Sequence, residues 1–166
     1  KADLTLGGDS AGGCMAAYTS QALQHDASLP LTHQILVYPC LDMTHSFPSV
    51  QENCNTQTGF TPAKMTWYFN QCFRPGDDRR DASPLFGELS ADMPATLVLT
   101  TQFCPFRDEG RDYVRRRLKR ACGPKRIITA TWSIRTSTLK KYATTKSATP
   151  TGAWPIFCKT EGNGLY

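Results

Sequence analysis

A serine lies at the centre of a glycine-rich segment near the start of the chain. Residues 7–13 read GGDSAGG, so Ser10 has one glycine two positions before it and another two positions after it. At a turn between a strand and a helix, such a serine is held in a strained conformation, and its neighbours at both positions must be glycine-sized. Its exposed hydroxyl can attack a carbonyl carbon and form a covalent intermediate. The spacing therefore predicts that Ser10 is the nucleophile of a nucleophile elbow.

The residue after the serine supplies half of an oxyanion hole in this interpretation. The backbone N–H of Ala11 would lie in the first turn of a helix, where unpaired N–H groups and the helix macrodipole favour a developing negative charge. We therefore expect Ala11 to be the first oxyanion donor. The alternative is a glycine-rich turn without chemistry. A predicted strand before the segment and a predicted helix after it favour the elbow.

Strand and helix patterns alternate along the chain as far as residue 126. This order predicts an α/β fold with a mostly parallel sheet and flanking helices. Residues 41–59 read as polar and irregular, and the segment 127–166 is rich in Thr with little apolar periodicity. The predicted strands cover 2–6, 33–38 and 95–101, and the predicted helices cover 11–23, 62–69 with Thr61 as N-cap, and 108 to the stop signal at Gly123-Pro124.

The composition is that of one globular domain. The chain has 166 residues, of which 40% are hydrophobic and 10% aromatic, enough for a core. Its apolar runs are too short to span a bilayer, so no membrane span is expected. It begins inside a predicted strand, from which we expect a further segment upstream. The seven cysteines include no C-x-x-C pair or histidine grouping, which predicts no metal site and a reducing, cytoplasmic location.

The charge of the chain is uneven. Residues 1–106 carry 5 Lys and Arg against 10 Asp and Glu, whereas residues 107–166 carry 14 against 4, for a formal net charge of +5. The basic half could bind nucleic acid, but its run 115–120 lies in a helix that opens with Asp108 and Glu109, as a helix dipole favours. We therefore predict a solvated amphipathic helix and no nucleic-acid partner. The apolar positions predicted to share its buried face are Val114, Leu118, Ala121 and Cys122.

Several short motifs occur in an order typical of one enzyme family. They are GGDSAGG at 7–13, YPCLD at 38–42, ASPL at 82–85, MPA at 93–95 and PFRDEG at 105–110. With these motifs, residues 2–126 resemble the hormone-sensitive-lipase-like branch of the α/β-hydrolases, the fold-3 carboxylesterases and lipases. In that family an H-G-G-G oxyanion loop precedes the elbow serine, and an acid and then a histidine follow it.

The resemblance implies a fold, a reaction and a division of the chain. Residues 1–126 would be the C-terminal half of an α/β-hydrolase domain, and 127–166 an aberrant or disordered tail. The implied reaction is hydrolysis of small carboxylic esters with short or medium acyl chains, through an acyl-enzyme on Ser10 and without a cofactor. The alternative is a catalytically dead member of the same scaffold, a pseudoenzyme or binding module.

The acid and the base of the family are both altered in this sequence. Cys104 occupies the position of the family acid, and a thiol with an ordinary pKa of ~8.5 is mostly neutral and a weak hydrogen-bond partner. Asp108, one helical turn onward, is the nearest carboxylate that could substitute, although helix capping is its expected role. The three histidines all precede Cys104, and of His25, His33 and His45 only His45 is expected on the catalytic side of the sheet.

Two further expectations follow from the same resemblance. Codons for residues 127–139 can be chosen so that reading two bases later gives YYRYLVHSYINF, which is similar to the terminal strand and L-x-H motif of the family. We therefore hypothesise that the tail is translated out of frame. The first strand would also have a bare edge at Leu4 and Leu6, from which we expect weak stability and self-association through that edge.

Overall fold

The computed structural model describes residues 3–29 and 31–120 and the backbone of residues 127–132. Within these residues, strands and helices alternate as the sequence predicts. The elements are β1 (Leu4–Asp9), α1 (Ala11–Ala22), β2 (Leu31–Val37), α2 (Pro48–Asn53), α3 (Pro62–Cys72), β3 (Ala95–Thr101), α4 (Arg107–Arg120) and β4 (Ile127–Trp132), with a 3-10 turn at Pro84–Phe86.

The strands form one parallel sheet in the order β1-β2-β3-β4. The carboxyl ends of parallel strands meet at one edge, where ligand sites of α/β proteins collect. Ser10 after β1, Tyr38 after β2 and Cys104 after β3 therefore lie at the same edge. β1 is the outer strand of the described sheet, with Leu4 47% exposed.

Most element predictions are confirmed, and three segments differ. The first strand, predicted over 2–6, continues three residues further into the glycine-rich motif, as β1 ends at Asp9. The strand at 95–101 matches β3, and Thr61 caps α3 by accepting a hydrogen bond from the N–H of Lys64 at 3.3 Å. Residues 41–59 contain the short helix α2, which Pro48 begins. Residues 127–132, the first six of the predicted tail, form β4 beside β3, and the later part of the tail lies outside the described residues.

The main core lies between the sheet and the two longest described helices. α1 packs on β1 and β2, and α4 packs on β3 and β4. The small residues Ala16 and Ala17 allow α1 to approach the sheet closely. The other fully or almost fully buried residues of this core are Leu36, Leu41, Leu85, Leu89, Met93, Val98, Tyr113 and Val114.

The buried face of α4 differs from the predicted one. Val114 is buried as expected, but Leu118 is 57% exposed and Arg117 is fully buried, while Ala121 and Cys122 lie outside the described residues. The guanidinium of Arg117 donates hydrogen bonds to the carbonyl oxygens of Ser90, Met93 and Pro94. These bonds satisfy donors on Nη1 and Nη2, whereas Nε is buried without a hydrogen-bond partner among the described residues. Hydrogen bonds of this kind reduce the cost of burying a cation, and hydrophobic periodicity alone does not reveal them.

Candidate active site

Ser10 is held by the backbone in the strained conformation that the motif predicts. Its φ is 55° and its ψ is −119°, between the last residue of β1 and the first residue of α1. The N–H of Ser10 donates to the carbonyl of Val37 at 2.9 Å, and its own carbonyl accepts from Cys14 and Cys40. The side chain makes no capping hydrogen bond to α1. The hydroxyl is thus left available, on a backbone that neighbouring β2 holds in place.

Only one of the two predicted glycine restrictions is observed, and a different glycine of the motif carries the second. A Cβ on Gly8 would lie 2.4 Å from the backbone carbon and oxygen of Gly12, so only glycine fits there. A Cβ on Gly12 would meet nothing within 4 Å among the described residues, which corrects the expectation that both positions are crowded. The second size restriction instead falls on Gly13, where a Cβ would lie 2.8 Å from the Cβ of Pro39.

A small cavity of about 50 Å³ opens beside Ser10. Cys104 lines it, so the structure brings together the predicted nucleophile and the position of the family acid. The remaining wall is largely aromatic, which suits the apolar part of a small molecule. The complete lining consists of Ser10, Tyr38, Thr58, Phe60, Phe103, Cys104, Pro105 and Phe106.

Tyr38 is a cavity residue that the sequence interpretation did not single out. It has a φ of 36°, and its hydroxyl donates to the carboxylate of Asp9 at 3.4 Å. Burial, and then the negative charge of Asp9, raise the pKa of Tyr38 to about 12, so the phenol remains a donor at neutral pH. Tyr38 thereby links the end of β2 to the residue before Ser10. Its position at the carboxyl end of a predicted buried strand was the signal that could have found it.

The thiol of Cys104 does not have the properties of a catalytic acid. Its side chain is 3% exposed, and burial raises the pKa of Cys104 to about 12. The sulfur accepts a weak hydrogen bond from the N–H of Phe106 at 3.4 Å. A neutral thiol cannot stabilise an imidazolium as an ionised carboxylate does. The side chain at position 104 therefore provides no ionised acid beside Ser10.

Asp108 is directed into a different set of contacts. Its carboxylate accepts hydrogen bonds from Arg107 Nε at 2.8 Å and from the N–H of Ser49 at 3.2 Å, and its own N–H donates to Ser49 Oγ. The hydrogen bond from Arg107 is the largest cause of a lowered pKa for Asp108. Asp108 is not among the residues that line the cavity. Its observed contacts link the start of α4 to α2. None of the hydrogen bonds that its carboxylate accepts comes from a backbone N–H of α4, so the expected helix capping is not observed among the described residues.

The histidines with described positions do not line the cavity. His45 follows β2 with a φ of 56°, and its ring packs edge to face on Phe69 with centroids 4.2 Å apart. Its Nε2 is buried without a hydrogen-bond partner among the described residues, and burial lowers the pKa of His45. His33 at the start of β2, and His25, whose Nδ1 lies 3.2 Å from Asp92, are at the opposite edge of the sheet.

Two classes of feature are absent from the described part of the chain. Its His, Cys, Asp and Glu side chains form no group of three that could hold a metal ion. None of its helices combines the length and apolar character that crossing a membrane requires.

The chain is similar to proteins that hydrolyse esters. Residues 1–129 match the family model described as alpha/beta hydrolase fold. The chain is 30% identical over 118 residues to an ethyl acetate hydrolase of Pseudomonas putida, covering 68% of this chain and 36% of that protein. It is 33% identical over 122 residues to the carboxylic ester hydrolase LipN of Mycobacterium tuberculosis, covering 68% of this chain and 31% of that protein.

Solved structures show the same similarity. A hyperthermophilic esterase from the archaeon Pyrobaculum calidifontis matches with a TM-score of 0.67 and 30% identity, over 77% of this chain and 42% of that chain. This chain therefore spans less than half of that esterase, and about a third of the length of the two hydrolases above.

Proposed function

Because the chain belongs to the alpha/beta hydrolase fold family over residues 1–129, we propose that it is part of a carboxylic ester hydrolase with Ser10 as its nucleophile. The observation that carries this proposal is the strained backbone of Ser10, at the carboxyl end of β1 and beside a cavity. A positive φ at a non-glycine residue is sustained only where the surroundings enforce it, and such residues cluster at functional sites.

The proposed reaction proceeds in two steps. The Ser10 oxygen bonds to the ester carbonyl carbon as its proton passes to a base, and the alcohol leaves with a proton to give an acyl-enzyme. Water then attacks the acyl carbon and releases the carboxylic acid, which restores the Ser10 hydroxyl. The N–H of Ala11, at the first residue of α1, is the proposed donor to the oxyanion in both steps. No base for Ser10 is found among the described cavity residues.

The substrate class follows from the relatives and from the cavity wall. The named hydrolases act on carboxylic esters, and one on ethyl acetate. Phe60, Phe103 and Phe106 offer an apolar surface for a short acyl chain, while Thr58 and Tyr38 contribute hydroxyl groups. We propose a small ester as the substrate.

The five described cysteines are free, which supports the proposed cytoplasmic location.

The test combines turnover with covalent labelling. The purified chain is incubated with a chromogenic acetate ester and, separately, with a fluorophosphonate, and the labelled peptide is identified by mass spectrometry. We expect ester hydrolysis and a label on Ser10, both lost in Ser10→Ala and both retained in Ser28→Ala at the opposite edge of the sheet. Hydrolysis that persists in Ser10→Ala would contradict the proposed nucleophile.

The second candidate is a non-catalytic protein on the same scaffold. The neutral, buried thiol of Cys104 in the cavity favours it, because the position of the acid then has no acid function. A folded chain that shows neither turnover nor Ser10 labelling would support this candidate over the hydrolase.

We also propose that the coding frame changes close to residue 127. The family match ends at residue 129, which lies near the start of the segment whose shifted codons can give the L-x-H motif. Sequencing of the encoding DNA tests this proposal. A well-supported, uninterrupted frame through residues 127–139 would contradict it.

A further inference from the structure

A carboxyl group is buried between two walls of the Ser10 cavity. Glu109, in the first turn of α4, is fully buried, and its Oε1 accepts a hydrogen bond from the N–H of Leu41 at 2.7 Å. Leu41 closely follows Tyr38, which lines the cavity at the end of β2. Glu109 itself follows Cys104 and Phe106, which line the cavity from the loop before α4. One carboxyl group thus connects the two chain segments that form these walls.

We propose that Glu109 is a positioning residue that holds the segment after β2 against the start of α4, and so keeps the walls of the Ser10 cavity in place. The significance of this role for catalysis rests on the proposed hydrolase function. The connection itself does not, and it can be tested without ester hydrolysis.

The surroundings of Glu109 favour a protonated carboxyl group. Burial is the largest cause that raises its pKa well above 4.5; the hydrogen bonds from Leu41 and Asp42 oppose the shift, and the charge of Asp42 reinforces it. The other titratable groups that interact with it are the thiols of Cys14 on α1, Cys40 after β2 and Cys104.

The cations nearest in sequence on the same helix are paired elsewhere. Arg107 and Arg111 both form ion pairs with Asp108. Glu109 Oε2 has no hydrogen-bond partner among the described residues. An ionised carboxylate would be costly in such a site, whereas a neutral group can accept from Leu41 without that penalty. The glutamine side chain, which is neutral and similar in shape, should therefore replace Glu109, and alanine should not.

The accessibility of Cys104 reports on the cavity wall directly. N-ethylmaleimide is added to the folded chain, and the labelling rates of Cys104 and of the exposed Cys72 are measured by peptide mass spectrometry. With Cys72 as internal reference, we expect Cys104 in Glu109→Ala to react about tenfold faster than in the wild type, because the loss of a buried hydrogen bond opens the wall. In Glu109→Gln the rate should be at or below the wild-type rate.

A destabilised control separates local opening from general loss of stability. Leu89→Ala removes a buried side chain before β3, at the edge of the sheet away from the cavity, and lowers stability by cavity formation. It is expected to change the Cys104 rate less than Glu109→Ala does. The proposal is overturned if the two alanine variants label Cys104 equally fast, or if Glu109→Gln labels as fast as Glu109→Ala.

Infrared spectroscopy gives a readout that does not depend on the alanine variant folding. The wild-type chain at neutral pH should show the carbonyl band of a protonated carboxyl group, and Glu109→Gln should lack it. If the band is absent from the wild type, the proposal that Glu109 acts as a neutral positioning residue is wrong. Failure of ester hydrolysis alongside the expected labelling and band would instead contradict only the proposed function.

Discussion

Two neighbouring functional groups at the cavity have opposite properties. Ser10 is left without a capping hydrogen bond on a strained backbone, which favours reaction, whereas the thiol of Cys104 is buried and neutral. Around Ser10, the close approach of α1 to β1 and to Pro39 makes Gly8 and Gly13 the restricted positions. The turn at Ser10 therefore depends on the close approach of Gly8 to Gly12 and of Gly13 to Pro39, and not on glycine content as such.

The glycines give a matched pair of substitutions. Gly8→Ala is expected to destabilise the chain by about 1–3 kcal/mol, because its Cβ would overlap the backbone of Gly12. Gly12→Ala is expected to be neutral or to stabilise by up to ~1 kcal/mol, since its Cβ meets no described atom within 4 Å and alanine favours a helix. Urea unfolding measures both. A larger loss of stability in Gly12→Ala than in Gly8→Ala would contradict the assignment.

The raised pKa of Glu109 predicts a particular dependence of the free energy of unfolding on pH. Its pKa in the folded chain lies well above 4.5, so the unfolded chain releases this proton first as the pH rises. The stability linked to the neutral carboxyl is therefore complete below pH 4.5 and declines above it, until the folded carboxyl itself ionises. Glutamine cannot ionise, so the gain in unfolding free energy of Glu109→Gln should grow with pH, by at most about 1.4 kcal/mol per pH unit.

Urea unfolding at several pH values between acid and neutral measures this gain. Glu88→Gln, at an exposed position, serves as the control. Its ion pair with His25 is itself exposed and contributes little, so we expect its effect to change less with pH than that of Glu109→Gln. A gain for Glu109→Gln that does not change with pH would show that Glu109 ionises normally in the folded chain.

At the scale of elements, α4 is positioned by polar groups as much as by apolar ones. Its first turn holds the segment after β2 through Glu109 and contacts α2 through Asp108. Its later part is anchored by Arg117, whose guanidinium donates to three carbonyls in the loop before β3. The segment after β2 and the loop before β3 are thus fixed to the same helix. That helix directly follows Cys104 and Phe106, which line the cavity.

Arg117 and Leu118 test this description of α4. Arg117→Ala leaves the buried carbonyls without their donor and is expected to cost about 1–3 kcal/mol, in addition to lost packing. Leu118→Ala truncates an apolar side chain at an exposed site, and its free energy of unfolding is expected to stay within about 0.5 kcal/mol of the wild type. Thermal or urea unfolding compares the two. A larger loss of stability in Leu118→Ala than in Arg117→Ala would instead support the apolar face that the sequence pattern predicted.

At the scale of the whole molecule, the outer strand of the described sheet is the feature that bears on association with other chains. β1 lies at the outside of the described sheet and is exposed at Leu4, while the elbow follows directly from its carboxyl end. An apolar, unpaired strand edge favours pairing with another strand. We therefore propose that the chain self-associates through β1.

Two lysine substitutions distinguish association through the edge of β1 from association through exposed apolar side chains in general. Leu4→Lys is expected to reduce concentration-dependent association, because a charged edge residue opposes strand pairing. Leu29→Lys, at a loop position with the similar exposed fraction of 44% against 47%, should leave association unchanged. Sedimentation velocity over a range of concentrations measures both. Equal effects of the two substitutions would argue against association through β1.

The sequence by itself determined the local features of this protein. Hydrophobic runs and turn residues predicted β3, α3 with its Thr61 cap, and the elbow at Ser10, because each depends on residues close together along the chain. Two local predictions needed correction at single positions: the crowding assigned to Gly12 in the glycine-rich motif, and the burial assigned to Leu118 on α4.

Tertiary structure decided which distant groups meet. It placed Tyr38 against Asp9, buried Glu109 beside Leu41, and directed Asp108 to Ser49 and away from the cavity. It also buried Arg117, whose carbonyl partners come from a loop more than twenty residues earlier in the chain. Periodicity cannot reveal such contacts, because the burial and protonation of a polar side chain depend on what other elements present to it.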